Sequence, residues 1–167
     1  AKAVSDGTAA RLGVGAGIAV GVFGIDVMSI VADNTSIKVV GDAALKGVTV
    51  TSDHDNTEAL QAQAGSAGGI SITPVLALLI SGAHVESSLG KYTYLLNATE
   101  DVSISAKSNC AREIAANASA AGGSVGVGAS FCISVLNDSA TAALRRSMRA
   151  RTVKIVAVCR SSLKSTS

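Results

Sequence analysis

Three glycine-bearing apolar segments recur along this chain of 167 residues, and this repetition limits what the chain can fold into. The four residues 13–16 return letter for letter as residues 126–129, and an intermediate copy begins at Gly69. Such repeats indicate stacked units, because one unit alone cannot bury its apolar face. We therefore predict one repetitive domain over residues 1–167, built from three units of about 56 residues. The units cover residues 10–56, 57–108 and 109–158.

Alignment of the three copies separates bulky residues from small ones. The bulky rows are Val14, Ile70 and Val127; Ile18, Pro74 and Phe131; Val20, Leu76 and Ile133; and Val22, Leu78 and Val135. The small rows are Gly15, Ser71 and Gly128; Gly17, Thr73 and Ser130; and Gly21, Ala77 and Ser134. Alternation of this kind is typical of strands. One face of each segment is bulky and apolar and the other has small residues. We therefore expect both faces to be shielded from water, and the small face to lie close to another backbone.

Each unit ends in a second segment with alternating β-branched residues, and these segments begin at Val48, Val102 and Val153. Residues that favour turns stand between the apolar runs. They are Asp33-Asn34, Gly41-Asp42, Asp53 to Asn56, Gly90 and Asn137-Asp138. The chain has only four aromatic residues and 17 glycines, so its core must depend on close packing of backbones. These patterns predict an all-β fold, either a β-solenoid or an elongated stacked β-sheet.

The charge is distributed unevenly along the chain. All 12 acidic residues precede position 139, whereas half of the 14 basic residues follow it. This basic tail, residues 145–167, suggests a site for phosphates or anionic lipid. The candidate anion-binding residues are Arg145, Arg146, Arg149 and Arg151. Nucleic acid is the least favoured anion, because base stacking needs aromatic side chains.

The residues that usually perform catalysis are sparse and scattered. His54 and His84 are the only histidines and lie far from any cysteine, so we predict neither an enzyme active site nor a cofactor. Asp53, Asp55 and Glu58 are weak candidates for a Ca²⁺ site at a turn, although the run lacks the glycine and the ligand count of a calcium-binding loop.

The three cysteines give an odd count. Cys132 lies in an apolar run and is expected to be a small buried hydrophobe. A bridge between Cys110 and Cys159, which follow equivalent strands, remains open.

A helical alternative exists for the first apolar segment. Gly13, Gly17 and Gly21 have the spacing of a packed transmembrane helix, and Leu12–Ala32 is long enough to cross a bilayer. Asp26 lies within that span, and positive flanking clusters are absent. We therefore prefer the strand interpretation and predict no transmembrane span.

The repeat resembles a known class of proteins. An Ala/Ser-rich entry, Gly-Gly-x-Val-x-Val-Gly, an apolar strand and an Asn/Asp turn follow one another over Ala118–Asp138, and Val102–Ser108 supplies the Val-x-Ile-x-Ala strand. This pattern resembles the repeats of very large bacterial exoproteins, the leukotoxin-like and filamentous-haemagglutinin-like adhesins. The resemblance implies a secreted or cell-surface fibre used for adhesion, aggregation or spacing, with no catalytic motif. The basic tail departs from the usual acidic, Thr/Ser-rich repeats of that class.

Two functions follow as alternatives. The first is a structural or adhesive segment that self-associates into fibres through open strand edges and its small-residue faces, with a host or cell-surface ligand as a further partner. The second is a binding module whose basic end engages an anionic glycan, a membrane or nucleic acid. We do not expect a small-molecule substrate in either case.

Overall fold

The fold consists of strands and their connections. A computed structural model describes residues 1–39 and 44–167, and no helix occurs among them. The strands are β1 (Lys2–Thr8), β2 (Leu12–Val14), β3 (Gly17–Val31), β4 (Val48–Leu89), β5 (Leu96–Asn97), β6 (Val102–Leu144), β7 (Met148–Arg149) and β8 (Val153–Thr166). The predicted all-β class is confirmed. The helical alternative for Leu12–Ala32 is wrong, because this segment forms β2 and β3. In the part of the chain described, no helix could span a membrane.

All strand pairing is parallel. In the six-stranded sheet β1, β2 and β3 pair along one edge of β4, β6 pairs along the other, and β8 pairs with β6. The ladder joins positions about one unit apart, from Lys2 with Gln61 to Val102 with Val153. A second, two-stranded parallel sheet contains β5 and β7. Long parallel strands that meet at nearly regular intervals are compatible with a β-solenoid.

Strands β4 and β6 each fold back at a Gly-Gly pair. In β4 the corner is Gly68-Gly69, where the ladder to β6 shifts its register. Across this corner Ser66 and Thr73 share a hydrogen bond between their hydroxyls. The equivalent corner in β6 is Gly122-Gly123, and a Cβ on Gly122 would overlap the carbonyl oxygen of Val125. Only glycine leaves room for so tight a return of the backbone.

These corners divide the sheet into two facing layers. The first arm contains residues 2–8, 48–67, 102–121 and 153–166, and the second arm contains residues 12–31, 70–89 and 125–144. The main core lies between the arms, where Leu60 and Ile114 of the first arm pack with Val75 and Leu79 of the second. A second cluster of Leu89, Leu96 and Ile104 lies at the ends of the arms away from the corners. Each such side chain contributes roughly 1.5–3 kcal/mol through burial.

The predicted rows are correct for the outer units and displaced for the middle one. Val14 is aligned with Val127 as predicted, but the residue between them is Ile72 rather than Ile70. The other bulky rows show the same shift of two positions: Ile18, Leu76 and Phe131; Val20, Leu78 and Ile133; Val22, Ile80 and Val135. The small rows shift with them, so Gly17 and Gly21 align with Val75 and Leu79. A two-residue slip keeps every side chain on its face, so the alternation alone cannot detect it.

The second strand segments and the turns were predicted with mixed success. Val48, Val102 and Val153 are aligned as predicted. Asp33-Asn34 and Gly90 lie in connections, and Asn34 has a φ of 61°. The turns predicted at Asp53 to Asn56 and at Asn137-Asp138 are wrong, since these residues belong to β4 and β6. The turn predicted at Gly41-Asp42 lies outside the described residues.

Both faces of residues 12–22 in the second arm are apolar, and the face with the small residues points inward. The inner side contains Gly15, which lies so close to the first arm that an added Cβ would overlap the carbonyl oxygen of Gly65. The large residues of the same segment, such as Ile18 and Val22, point outward and are exposed. The expected close approach to the small face is therefore confirmed. Self-association through that face is not compatible with this arrangement, because the first arm covers it.

Gly15→Val is expected to destabilise the fold by about 3 kcal/mol, since the larger side chain must push the two arms apart. Gly24→Val is the matched control, because an added Cβ at Gly24 has no atom within 4 Å. Chemical denaturation of both variants by urea, followed by circular dichroism, would measure the difference. Equal stability of the two variants would contradict the close contact between the arms.

Candidate functional site

The four candidate anion-binding arginines do not form one site. Arg146 is buried, whereas Arg145, Arg149 and Arg151 are exposed. Nε of Arg151 donates to Oδ1 of Asp101 at 3.0 Å, and Nη2 of Arg145 lies 4.0 Å from Oε1 of Glu86. Two of the three exposed charges are thus partly neutralised by acidic residues of earlier units. Fewer positive charges of the basic tail are therefore available to bind an anion than its sequence indicates.

The candidate calcium ligands are also separated. Asp53 and Asp55 lie on the exposed outer side of β4, whereas Glu58 is buried between the arms. On a strand, residues at odd and even positions point to opposite faces, so these three carboxylates cannot surround one ion. No group of three or more metal-ligating side chains occurs within residues 1–39 and 44–167.

Glu58 belongs instead to a buried ionic cluster around Arg112. Nε of Arg112 donates to Oε2 of Glu58 at 3.0 Å and to Oγ of Ser81 at 2.9 Å. Its Nη1 and Nη2 donate to the two carboxylate oxygens of Asp138 at 2.6 and 2.8 Å. Nη1 also donates to Oγ of Ser161 at 3.0 Å. The cluster therefore joins both arms and the three strands β4, β6 and β8.

Hydrogen bonds decide the charge states in this cluster. Burial opposes the charged form of Arg112, but its bonds to Asp138 and Glu58 prevail and raise its pKa. Burial likewise opposes ionisation of Asp138, yet the hydrogen bonds from Arg112 and Ser161 hold its pKa below the ordinary value. The remaining acceptors are used as well, since Oε1 of Glu58 accepts from Ser81 and Asn56. A buried arginine with two carboxylates and full hydrogen bonding is a structural element rather than a reactive group.

The histidines and cysteines form no hydrogen bond with this cluster within the described residues. His54 is half-buried within β4, in the stretch Asp53 to Asn56 that was wrongly predicted as a turn. His84 is on the outer side, with Nδ1 2.7 Å from Oγ of Ser139. The three cysteines are free thiols: Cys110 is buried, Cys132 half-buried and Cys159 exposed. Cys110 is aligned with Ser161 rather than with Cys159, so the bridge left open by the sequence is not formed.

The outer side of the second arm carries an uninterrupted apolar face. Its residues are Leu12, Val14, Ala16, Ile18, Val20 and Val22; Ile70, Ile72, Pro74, Leu76, Leu78 and Ile80; and Val125, Val127, Ala129, Phe131, Ile133 and Val135. We call this set the apolar face. Ile18 and Phe131 are 66% and 61% exposed, and they lie on either side of Leu76. Their alignment makes the face continuous over three strands.

The apolar face ends in glycines and polar residues on the side away from the Gly-Gly corners. Beyond Val22, Ile80 and Val135 the outward positions become Gly24 and Asp26, Gly82 and His84, and Asn137 and Ser139. No charged residue lies within the face itself. A contiguous exposed apolar surface of this kind is typical of a site that another surface covers.

The alignment of the copies contained a signal for the ionic cluster that sequence reasoning missed. The segments beginning at Val48 and Val102 fix an offset of 54 positions, and the same offset joins Glu58 to Arg112. Asp138 could not be found in this way, because it reaches Arg112 across the two arms rather than along the ladder.

No family model, curated protein or solved structure matches the chain.

Proposed function

We propose that this chain is a structural segment of a repetitive β-solenoid and that it self-associates through its apolar face into fibres. The carrying observation is the face itself, an array of aligned and exposed large apolar residues on three neighbouring strands. The proposal includes secretion or surface display in an adhesive or spacing role, which rests on the resemblance of the repeat to surface exoproteins.

The repeat supports the solenoid interpretation. The same residues of each unit lie beside one another in the ladder, so each unit supplies the strand edges that its neighbour needs. The ionic cluster adds support, because it ties Glu58, Arg112 and Ser161 of successive strands to one another. A rod built in this way keeps its outer surface in a regular array.

The size of the apolar face suits a second copy of the chain. Its residues extend over about 36 Å along the strands and about 14 Å across them, from a rise of about 3.3 Å per residue and a strand spacing of about 4.8 Å. The plane area is roughly 500 Å², and projecting side chains present more accessible surface than this plane. Two such faces in contact reach the lower limit of a specific interface, about 1,000 Å² in total.

The large apolar side chains of the face also favour a second copy as its occupant. Two sheets pack face to face at about 10 Å when large apolar side chains interdigitate. An identical face offers the same rows, so two chains can pair about a two-fold axis, and extension of such closed pairs into a fibre uses the open strand edges. The exposed β-branched residues are stiff, and little side-chain entropy is lost when they become buried.

Sedimentation velocity over a wide range of protein concentrations tests this proposal. We expect dimers or larger species whose fraction rises with concentration and persists from about 0.05 M to about 0.5 M salt, because apolar burial is not screened. A chain that stays monomeric throughout would contradict the proposal. Association or polyanion binding that disappears at high salt would favour the alternative, in which the basic end binds an anion.

A further inference from the structure

A cavity lies at the ends of the arms away from the Gly-Gly corners, where the segments that follow β3, β4 and β6 meet. It has a volume of about 350 Å³, and its walls include Ile37, Lys38, Tyr92, Tyr94, Leu95 and Arg146. This volume is at the lower end of the range for small-molecule sites. The cavity is separate from both the apolar face and the ionic cluster.

Arg146 is the residue that gives this cavity a specific chemistry. It is only 8% exposed, and two of its guanidinium nitrogens are fixed by the backbone. Nε donates to the carbonyl oxygen of Gly90 at 2.6 Å, and Nη1 donates to that of Thr35 at 3.1 Å. Nη2 is buried and has no hydrogen-bond partner among residues 1–39 and 44–167. Buried charged donors without an acceptor are rare, so the third nitrogen points to an acceptor other than the described residues.

Two aromatic rings stand beside the guanidinium. Cζ of Arg146 lies 5.5 Å from the centroid of the Tyr92 ring, and the Tyr92 and Tyr94 centroids are 5.7 Å apart with planes tilted by 55°. The cation over the Tyr92 face stabilises this arrangement. Tyr94 is largely exposed, so its ring is free to cover a bound molecule. The cavity thus contains both tyrosines of a chain that has few aromatic residues.

The charges around the cavity select an anion. Lys38 and Arg146 line it, and no acidic side chain does so among the residues described there. Leu95 and Ile37 add an apolar wall next to the rings. We propose that this cavity binds a small carboxylate that carries a ring, with the carboxylate at Arg146 and the ring against Tyr94. The guanidinium of arginine is planar and donates in its own plane, which orients the bound carboxylate.

The ring can be aromatic or a sugar ring, and these two sources share the carboxylate chemistry. A titration followed by ¹⁵N-¹H NMR with benzoate, glucuronate and their neutral counterparts benzyl alcohol and methyl glucoside would distinguish them. We expect saturable shifts in residues 36–38 and 92–96 with at least one carboxylate, and the tighter of the two identifies the ring. The neutral counterpart should bind at least about tenfold more weakly, because it lacks the charge-assisted hydrogen bond. Absence of shifts with both carboxylates, or equal binding of the neutral molecules, would overturn the proposal.

Variants test the site without relying on Arg146, whose backbone contacts make its replacement a risk to folding. Tyr94→Ala is expected to weaken the tighter carboxylate about fivefold through loss of the ring contact. Lys38→Gln should weaken it about threefold. Arg149→Gln is the control, because it removes the same charge from an exposed position outside the cavity. If Arg149→Gln weakens binding as much as Lys38→Gln, the carboxylate is held by general positive charge and the proposed site is wrong. The result is independent of self-association, which depends on the apolar face.

Discussion

Arg112→Ala is expected to lower the free energy of unfolding by about 3–5 kcal/mol, which is a large part of the stability of a domain of this size. The side chain of Arg112 is fully buried, and its removal leaves Glu58 and Asp138 between the arms without a counter-charge. It also removes the hydrogen bond from Nη1 of Arg112 to Oγ of Ser161, which connects β8 to the cluster. Urea denaturation followed by circular dichroism measures the loss, and we expect fraying of β8 to begin at lower urea concentrations.

Arg151→Ala provides the matched control for this experiment. Arg151 forms an ion pair with Asp101 at the same distance of 3.0 Å as that between Arg112 and Glu58, but both partners are exposed. Exposed pairs contribute at most about 1 kcal/mol, so this variant should remain close to the unmodified chain. The combined variant Glu58→Leu, Arg112→Met, Asp138→Leu should recover much of the stability, because no unpaired charge remains. Equal stability of Arg112→Ala and Arg151→Ala would contradict the role assigned to the cluster.

The strand character and the side-by-side placement of the copies could be predicted from this sequence, because both depend on local alternation and on copies of one pattern. The alignment of Val48 with Val102 was predicted correctly, because each of them begins a segment with alternating β-branched residues. The position of the middle glycine-bearing segment was wrong by two residues, because Gly69 was used as its start, whereas the structure uses Gly68-Gly69 as a corner. A corner and a strand start both favour glycine, and only the distance between facing arms distinguishes them.

The direction in which the faces point could not be read from the sequence. Hydrophobic size predicts that Ile18 and Phe131 are buried, yet both point outward, and the residues on either side of Ile18 that point inward are the small Gly17 and Ala19. Arg146 illustrates the same limit in another way. Four arginines in a basic tail indicated a common site, but the backbone at Gly90 and Thr35 selects one of them for the interior. Contacts between distant segments, rather than residue type, decide these cases.

Phe131→Lys and Ile18→Lys are each expected to weaken self-association by a factor of about 30 or more. A buried charge without a partner at the centre of an apolar contact costs at least about 2 kcal/mol, which corresponds to this factor. In a two-fold pair each substitution occurs twice, so the full effect approaches a factor of about 1,000. Both positions are well exposed in the single chain, so stability should change little. Sedimentation velocity measures the association, and urea denaturation checks the fold.

Val4→Lys is the control that separates the apolar face from general surface hydrophobicity. Val4 is 56% exposed, similar to Phe131, but it lies on the outer side of the first arm between Lys2 and Asp6. A loss of association in Phe131→Lys and Ile18→Lys with no change in Val4→Lys would assign the contact to the second arm. If all three variants associate as the unmodified chain does, the chains meet elsewhere. The unpaired edge of β6 beyond Ala115 would then be the next surface to test, because its backbone groups in residues 116–144 pair on one side alone within the described chain.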